Sequence, residues 1–211
     1  NDSENLTDLI RIYGVVYDNT TYRAKSISIV DNEFIDCADN SFTEEKGGVA
    51  IHISRFKDVV IRGNKVDKAV RMASVWDGSR VTITDNVGNN LNAMFLYLHD
   101  VENAVVANNT ANYLRRPLDV GEVTNLTIAN NVFTDVQKRR EEEYANRLRN
   151  LVNANIIGNV TVSNNTMDFA YYVYDTANIS KNINNFDNIG VGFNVRPYNI
   201  SGNLQNYEAR P

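Results

Sequence analysis

The residues of this chain that could do chemistry are few, and their spacing groups them. His52 and His99 are its two histidines and Trp76 its one tryptophan. When the segments around them are stacked on a shared apolar mark, His52, Ser74, Tyr97, Asp119 and Asn153 fall in one column. Ser54, Trp76, His99, Gly121 and Asn155 fall in a second, and Val49, Arg71, Met94, Arg116 and Asn150 in a third. All three columns are expected to face outward. They concentrate Arg71, Tyr97, His99, Arg116 and Asp119 as a candidate catalytic set, with His52 and Trp76 as candidate substrate-binding residues. Aromatic faces and charged hydrogen-bond partners are what hold sugars. Elimination on a uronic acid needs a cation to neutralise the carboxylate and a base for the neighbouring proton. Arg71 or Arg116 suits the first role, and Tyr97, His99 or His52 the second. The plain alternative is that outward strand positions must be polar somewhere, and these types are ordinary there.

Asp77, Asp100 and Glu122 form a fourth column, headed by Arg55. Paired carboxylates suit glycosidases, and three could hold calcium through oxygen ligands. Yet they lie in WDGS, HDVEN and GEVTN, which read as turns, where Asp and Gly are routine. Calcium is the one cofactor the sequence leaves open. There is no HExxH, no zinc-ligand spacing and no phosphate-binding glycine loop. The single Cys37 excludes an internal disulfide and, in NEFIDC, reads as a core residue.

These columns require a repeat, and the asparagines reveal it. The pattern apolar-x-apolar-x-x-Asn occurs at Ile27–Ile29–Asn32, Val59–Ile61–Asn64, Val81–Ile83–Asn86 and Ala104–Val106–Asn109. It recurs at Leu126–Ile128–Asn131, Val160–Val162–Asn165, Ala177–Ile179–Asn182 and Tyr198–Ile200–Asn203. The asparagine intervals are 32, 22, 23, 22, 34, 17 and 21. A period near 22 or 23 means a solenoid. Apolar residues two apart share one face of a strand. The Asn at the following turn can hydrogen-bond along the stack. A second segment, mostly alternating, is present in most coils, as in GVAIHIS and AMFLYLHD, with Ile51, Ala73, Leu96, Leu118 and Val152 on its inward side. A leucine-rich repeat has a similar period, but Val and Ile dominate here. Its usual Leu is replaced by Ala24, Gly78 or Tyr174. The expectation is an all-β right-handed parallel β-helix of about eight coils. It forms one domain over 1–211, with insertions at about 38–48 and 136–150.

LTIANNVFTDV and SISIVDNEFIDC resemble the repeats of the pectin-lyase-like superfamily over about residues 9 to 205. That resemblance implies a polysaccharide partner and a secreted protein or one on a cell or virion surface. The superfamily holds lyases, glycoside hydrolases, epimerases, tailspikes and adhesins. A polysaccharide lyase therefore stands first. A non-catalytic binding module or adhesin, or a homotrimeric tailspike shaft, comes next, and a structural solenoid last. The net charge of −5 argues against a nucleic-acid partner, and no apolar run is long enough to span a membrane as a helix. Tyr171, Tyr172, Tyr174 and Tyr198 in the later coils either stack on sugars, for which Tyr172 and Tyr174 are the candidates, or cover the solenoid end. Asn-x-Ser/Thr sequons include Asn5, Asn19, Asn108, Asn125, Asn159, Asn164, Asn178 and Asn199. The strand consensus itself generates those in NLTI, NVTV, NIS and NISG. The chain opens without a start methionine or an obvious cap and reads as a slice of a longer protein.

Overall fold

A computed structural model describes residues 8–37, 48–114, 116–134, 150–156, 159–167, 172–179, 183–186, 194–197 and 204–206, with side chains at 8–37, 48–114, 117–134, 161 and 163–165. Both expected insertions lie largely outside these residues. The long strands Val49–Arg62, Arg71–Thr84, Met94–Ala107 and Arg116–Ala129 pair in chain order, parallel throughout. Each is followed by a short strand, Lys65–Asp67, Val87–Asn89, Thr110–Asn112 or Val132–Thr134, which pairs only with its own kind in a separate six-stranded sheet. The result is the expected parallel β-solenoid, with four successive turns between Val49 and Thr134.

Each turn has three straight sides because three residues per coil take a left-handed backbone. Arg55, Asp77, Asp100 and Glu122 bend the long strands at φ of 50 to 57°. Asp31, Gly63, Asp85, Asn108, Asn130 and Asn164 make the second corner, and Asp36, Lys68, Asn90 and Tyr113 the third. Asn, Asp and Gly tolerate this region best, which explains the second corner's composition. The acid column is thus the first corner. There Arg23 pairs with the Asp77 carboxylate at 2.7 Å, and Arg55 approaches it at 3.8 Å. Among the described residues no group of three or more His, Cys, Asp or Glu is placed to hold a metal ion.

Inside the corners, like stacks on like. Ile51, Ala73, Leu96 and Leu118 form one fully buried column, and Ile61, Ile83, Val106 and Ile128 another. Each Ile, Leu or Val among them contributes about 1.5–3 kcal/mol by leaving water. The amide ladder is present. Asn64 Nδ2 donates to Asn86 Oδ1 at 3.0 Å, Asn86 to Asn109 at 3.0 Å, Asn109 to Asn131 at 2.9 Å and Asn131 to Asn165 at 2.9 Å. The same oxygens accept backbone N–H groups from the preceding coil.

One sequence expectation fails on register. Ala177 and Ile179 lie in the strand Tyr172–Ile179, which pairs with Asn150–Ile156 rather than with the Val160 strand, while Tyr198, Ile200 and Asn203 lie outside the described residues. Val160 pairs with Ile183, and Ile183 with Leu204. These partners are 23 and 21 residues apart, which restores a full coil where the 17-residue interval was too short to make one.

Candidate functional site

The first side of each turn carries the candidate residues, and the pairing places them as the columns require. His52, Ser74, Tyr97 and Asp119 are lateral neighbours, as are Ser54, Trp76, His99 and Gly121. The first coil adds Arg11 beside His52 and Tyr13 beside Ser54. The third column is not uniformly outward. Val49 and Met94 are buried, and Met94 packs with Val70, Ala93 and Tyr97 at the start of the side. Ser54 and Ser74 are also buried, flanked by larger neighbours in their columns.

Two clusters result. In the first, Tyr97 and His99, two apart on one strand, stack with centroids 4.1 Å apart and planes 13° from parallel. The Arg71 guanidinium lies 5.2 Å from the Tyr97 ring centre, a cation–π geometry. His99 Nε2 is 4.0 Å from Asp119 Oδ1. The His99 ring lies against Gly121, where an added Cβ would meet its Cε1 and Nδ1 at 2.2 Å. Arg71 Nε and His99 Nε2 are buried and have no hydrogen-bond partner among the described residues. In the second cluster, Asp8 Oδ2 meets His52 Nδ1 at 3.0 Å and Arg11 Nε at 3.1 Å. Trp76 Nε1 donates to His52 Nε2 at 2.8 Å. Tyr13 stands edge-on to His52 at 5.5 Å.

Arg71, Tyr97, His99 and Asp119 therefore come together, and His52 joins Trp76 one coil earlier. His52 does not suit the general-base role, because both ring nitrogens are engaged. Arg116 takes its expected place in the Arg71 column, opposite Met94, but its side chain lies outside those described. So do the side chains of Tyr172 and Tyr174. By register Tyr172 pairs with Asn150, in the Arg71 column. Tyr174 pairs with Val152, in the column of Leu96 and Leu118, while Asp175 takes the His52 column. Cys37 is half-buried against the core. Burial, with the Asp67 and Asp36 carboxylates, pushes its thiol up to about 11.

Sequence reasoning missed Asp8, Arg11 and Tyr13. The hairpin of Val15–Tyr17 and Thr20–Tyr22 is inserted at the first corner of that coil, so counting back from Ile27 overshoots the strand. The alternation in DLIRIY was the available signal.

The family model described as "Periplasmic copper-binding protein (NosD)" matches residues 4–143. No curated protein and no solved structure gives a match.

Proposed function

The chain belongs to the NosD family, a parallel β-helix family of the pectin-lyase-like fold, and from that premise we propose that it binds an acidic polysaccharide on the first side of its solenoid. One observation carries the reading: Arg71, Tyr97, His99 and Asp119 form a contiguous cation, ring and carboxylate surface on adjacent rungs of a rigid sheet. Rings offer flat faces to sugar C–H surfaces, and a guanidinium meets a uronate carboxylate in a fork. Titration of the purified chain with polyuronates by calorimetry tests it. Binding is expected with one polymer of the panel, and Arg71→Ala or Tyr97→Ala should weaken it about tenfold, near 1.4 kcal/mol. A panel without any heat of binding would reject the proposal.

The closeness of Arg71 to Tyr97 favours cleavage as a second reading. The arginine would neutralise the uronate carboxylate, and Tyr97 as its phenolate would take the C5 proton α to it. The C4–C5 double bond then forms as the C4–O bond breaks, and the glycosidic oxygen leaves with the proton that the Tyr97 phenol gives back. Ultraviolet absorbance of the unsaturated ends separates this from binding alone.

Copper is a different matter. The whole sequence holds two histidines and one cysteine. His52 has both nitrogens engaged, the Cys37 thiol is held protonated, and Met72 and Met94 are fully buried in apolar clusters. Copper prefers convergent imidazole and sulfur donors, and the described residues do not fit such a site. The family description, naming a periplasmic protein, supports placing this chain outside the cytoplasm.

A further inference from the structure

The Asp8 carboxylate is enclosed, with its side chain 6% exposed. An ionised carboxylate only accepts hydrogen bonds, so the His52 nitrogen facing it must carry the proton. That nitrogen is Nδ1, at 3.0 Å. An indole N–H only donates, so the nitrogen facing Trp76 must present its lone pair. That nitrogen is Nε2, at 2.8 Å. Both demands are met by one form of the ring, the neutral Nδ1–H tautomer, and second partners are what select a histidine tautomer. Arg11 holds the other side of the arrangement. Its Nε forms an ion pair with Asp8 Oδ2 at 3.1 Å, and its guanidinium lies 4.8 Å from the centre of the Tyr13 ring, which in turn stands edge-on to His52. Three successive rungs thus converge on the orientation of one indole.

We infer that Asp8 and His52 are positioning residues that aim the Trp76 indole across the first side of the solenoid through a fixed His52 tautomer. For polysaccharide recognition this rests on the reading above, and it adds Trp76 as a sugar platform one coil before the Tyr97–His99 stack. A platform helps only if its plane is fixed before the sugar arrives, since ordering it on binding would cost affinity. Asp8 and His52 supply that order in the unliganded protein.

Nuclear magnetic resonance on the full chain tests the latch, because a single tryptophan gives a single indole N–H signal. Nitrogen-15 shifts of His52 should show a protonated Nδ1 and a lone pair on Nε2. His52→Phe keeps the ring volume and removes the acceptor, so indole N–H exchange should quicken and the indole emission should shift. Asp8→Asn retains an oxygen acceptor and should leave both signatures unchanged, whereas Asp8→Ala should lose the tautomer preference. With a polyuronate that binds, Trp76→Ala should weaken affinity about tenfold, and His52→Phe by part of that. Unchanged indole exchange in His52→Phe, or an intact tautomer in Asp8→Ala, would overturn the inference. Intact latch signatures with no polyuronate bound by any variant would support the latch and reject the polysaccharide reading.

Discussion

Two regions ride on the same rungs and are built on opposite rules. At the second corner the coils of Asn64, Asn86, Asn109 and Asn131 repeat one solution: a left-handed residue followed by a buried asparagine bonded to the coil on either side. On the outward face of the first side no two coils agree. His52 is followed by Ser74, then Tyr97, then Asp119. Repetition at the corner suits a requirement identical in every coil, the satisfaction of buried turn amides. Variation on the face suits a task that no single rung performs alone.

Breaking the ladder should therefore have the largest effect. Asn86 Oδ1 accepts from the Asn64 backbone and side chain, while its Nδ2 donates to Ile61 O and Asn109 Oδ1. All three asparagines are fully buried. Asn86→Ala would leave several of these groups unmet, at about 1–3 kcal/mol each, so urea unfolding should show a loss of roughly 3 kcal/mol or more. Asn32 is exposed at the first rung, and Asn32→Ala should lose about 1 kcal/mol or less. Equal losses at Asn32 and Asn86 would mean that burial of the ladder contributes nothing beyond its hydrogen bonds.

On the face, the corresponding change is Gly121→Ala. The added methyl would enter the His99 ring, and overpacking of this kind costs about 1–3 kcal/mol. The ring can swing outward, so the expected result lies at the low end of that range, with the Tyr97 stack lost and polyuronate affinity reduced. Gly121→Ala with full stability and full affinity would show that the stack is incidental to the face.

The same contrast explains what could be read from the sequence. The ladder, the corners and the inward columns are legible because each states its rule many times over. The face columns were legible by inheritance. Once Val59, Val81, Ala104 and Leu126 set the phase, the neighbours of Tyr97 and Trp76 followed by counting. Counting fails where the period breaks. The hairpin after Tyr13 hid Asp8 and Arg11, and the short interval after Asn165 drew the phase onto Ala177 instead of Ile183. Side-chain direction within a column was not legible at all. Nothing in the spacing tells that Trp76 turns to His52 or that Met94 folds inward beside Tyr97.

The third side is neither laddered nor lined with the face residues, and Cys37 reports on it. Its thiol moves from an ordinary 9.0 to about 11 through burial first, then the Asp67 and Asp36 carboxylates. Raising the value favours the neutral thiol in the folded chain. The stabilisation is present in full below pH 9 and disappears as pH rises towards 11. The thiolate is the nucleophile. Alkylation of the folded protein by iodoacetamide should therefore reach half its limiting rate near pH 11, against about 9 for the chain in urea. Coincident profiles would place Cys37 in water and away from the Asp36–Asp67 pair. A displaced folded profile would mean that the third side excludes water even where it neither repeats an amide nor presents a binding residue. The packing that fixes the rungs would then be common to all three sides, and the difference between ladder and face would lie only in what points outward or across the corner.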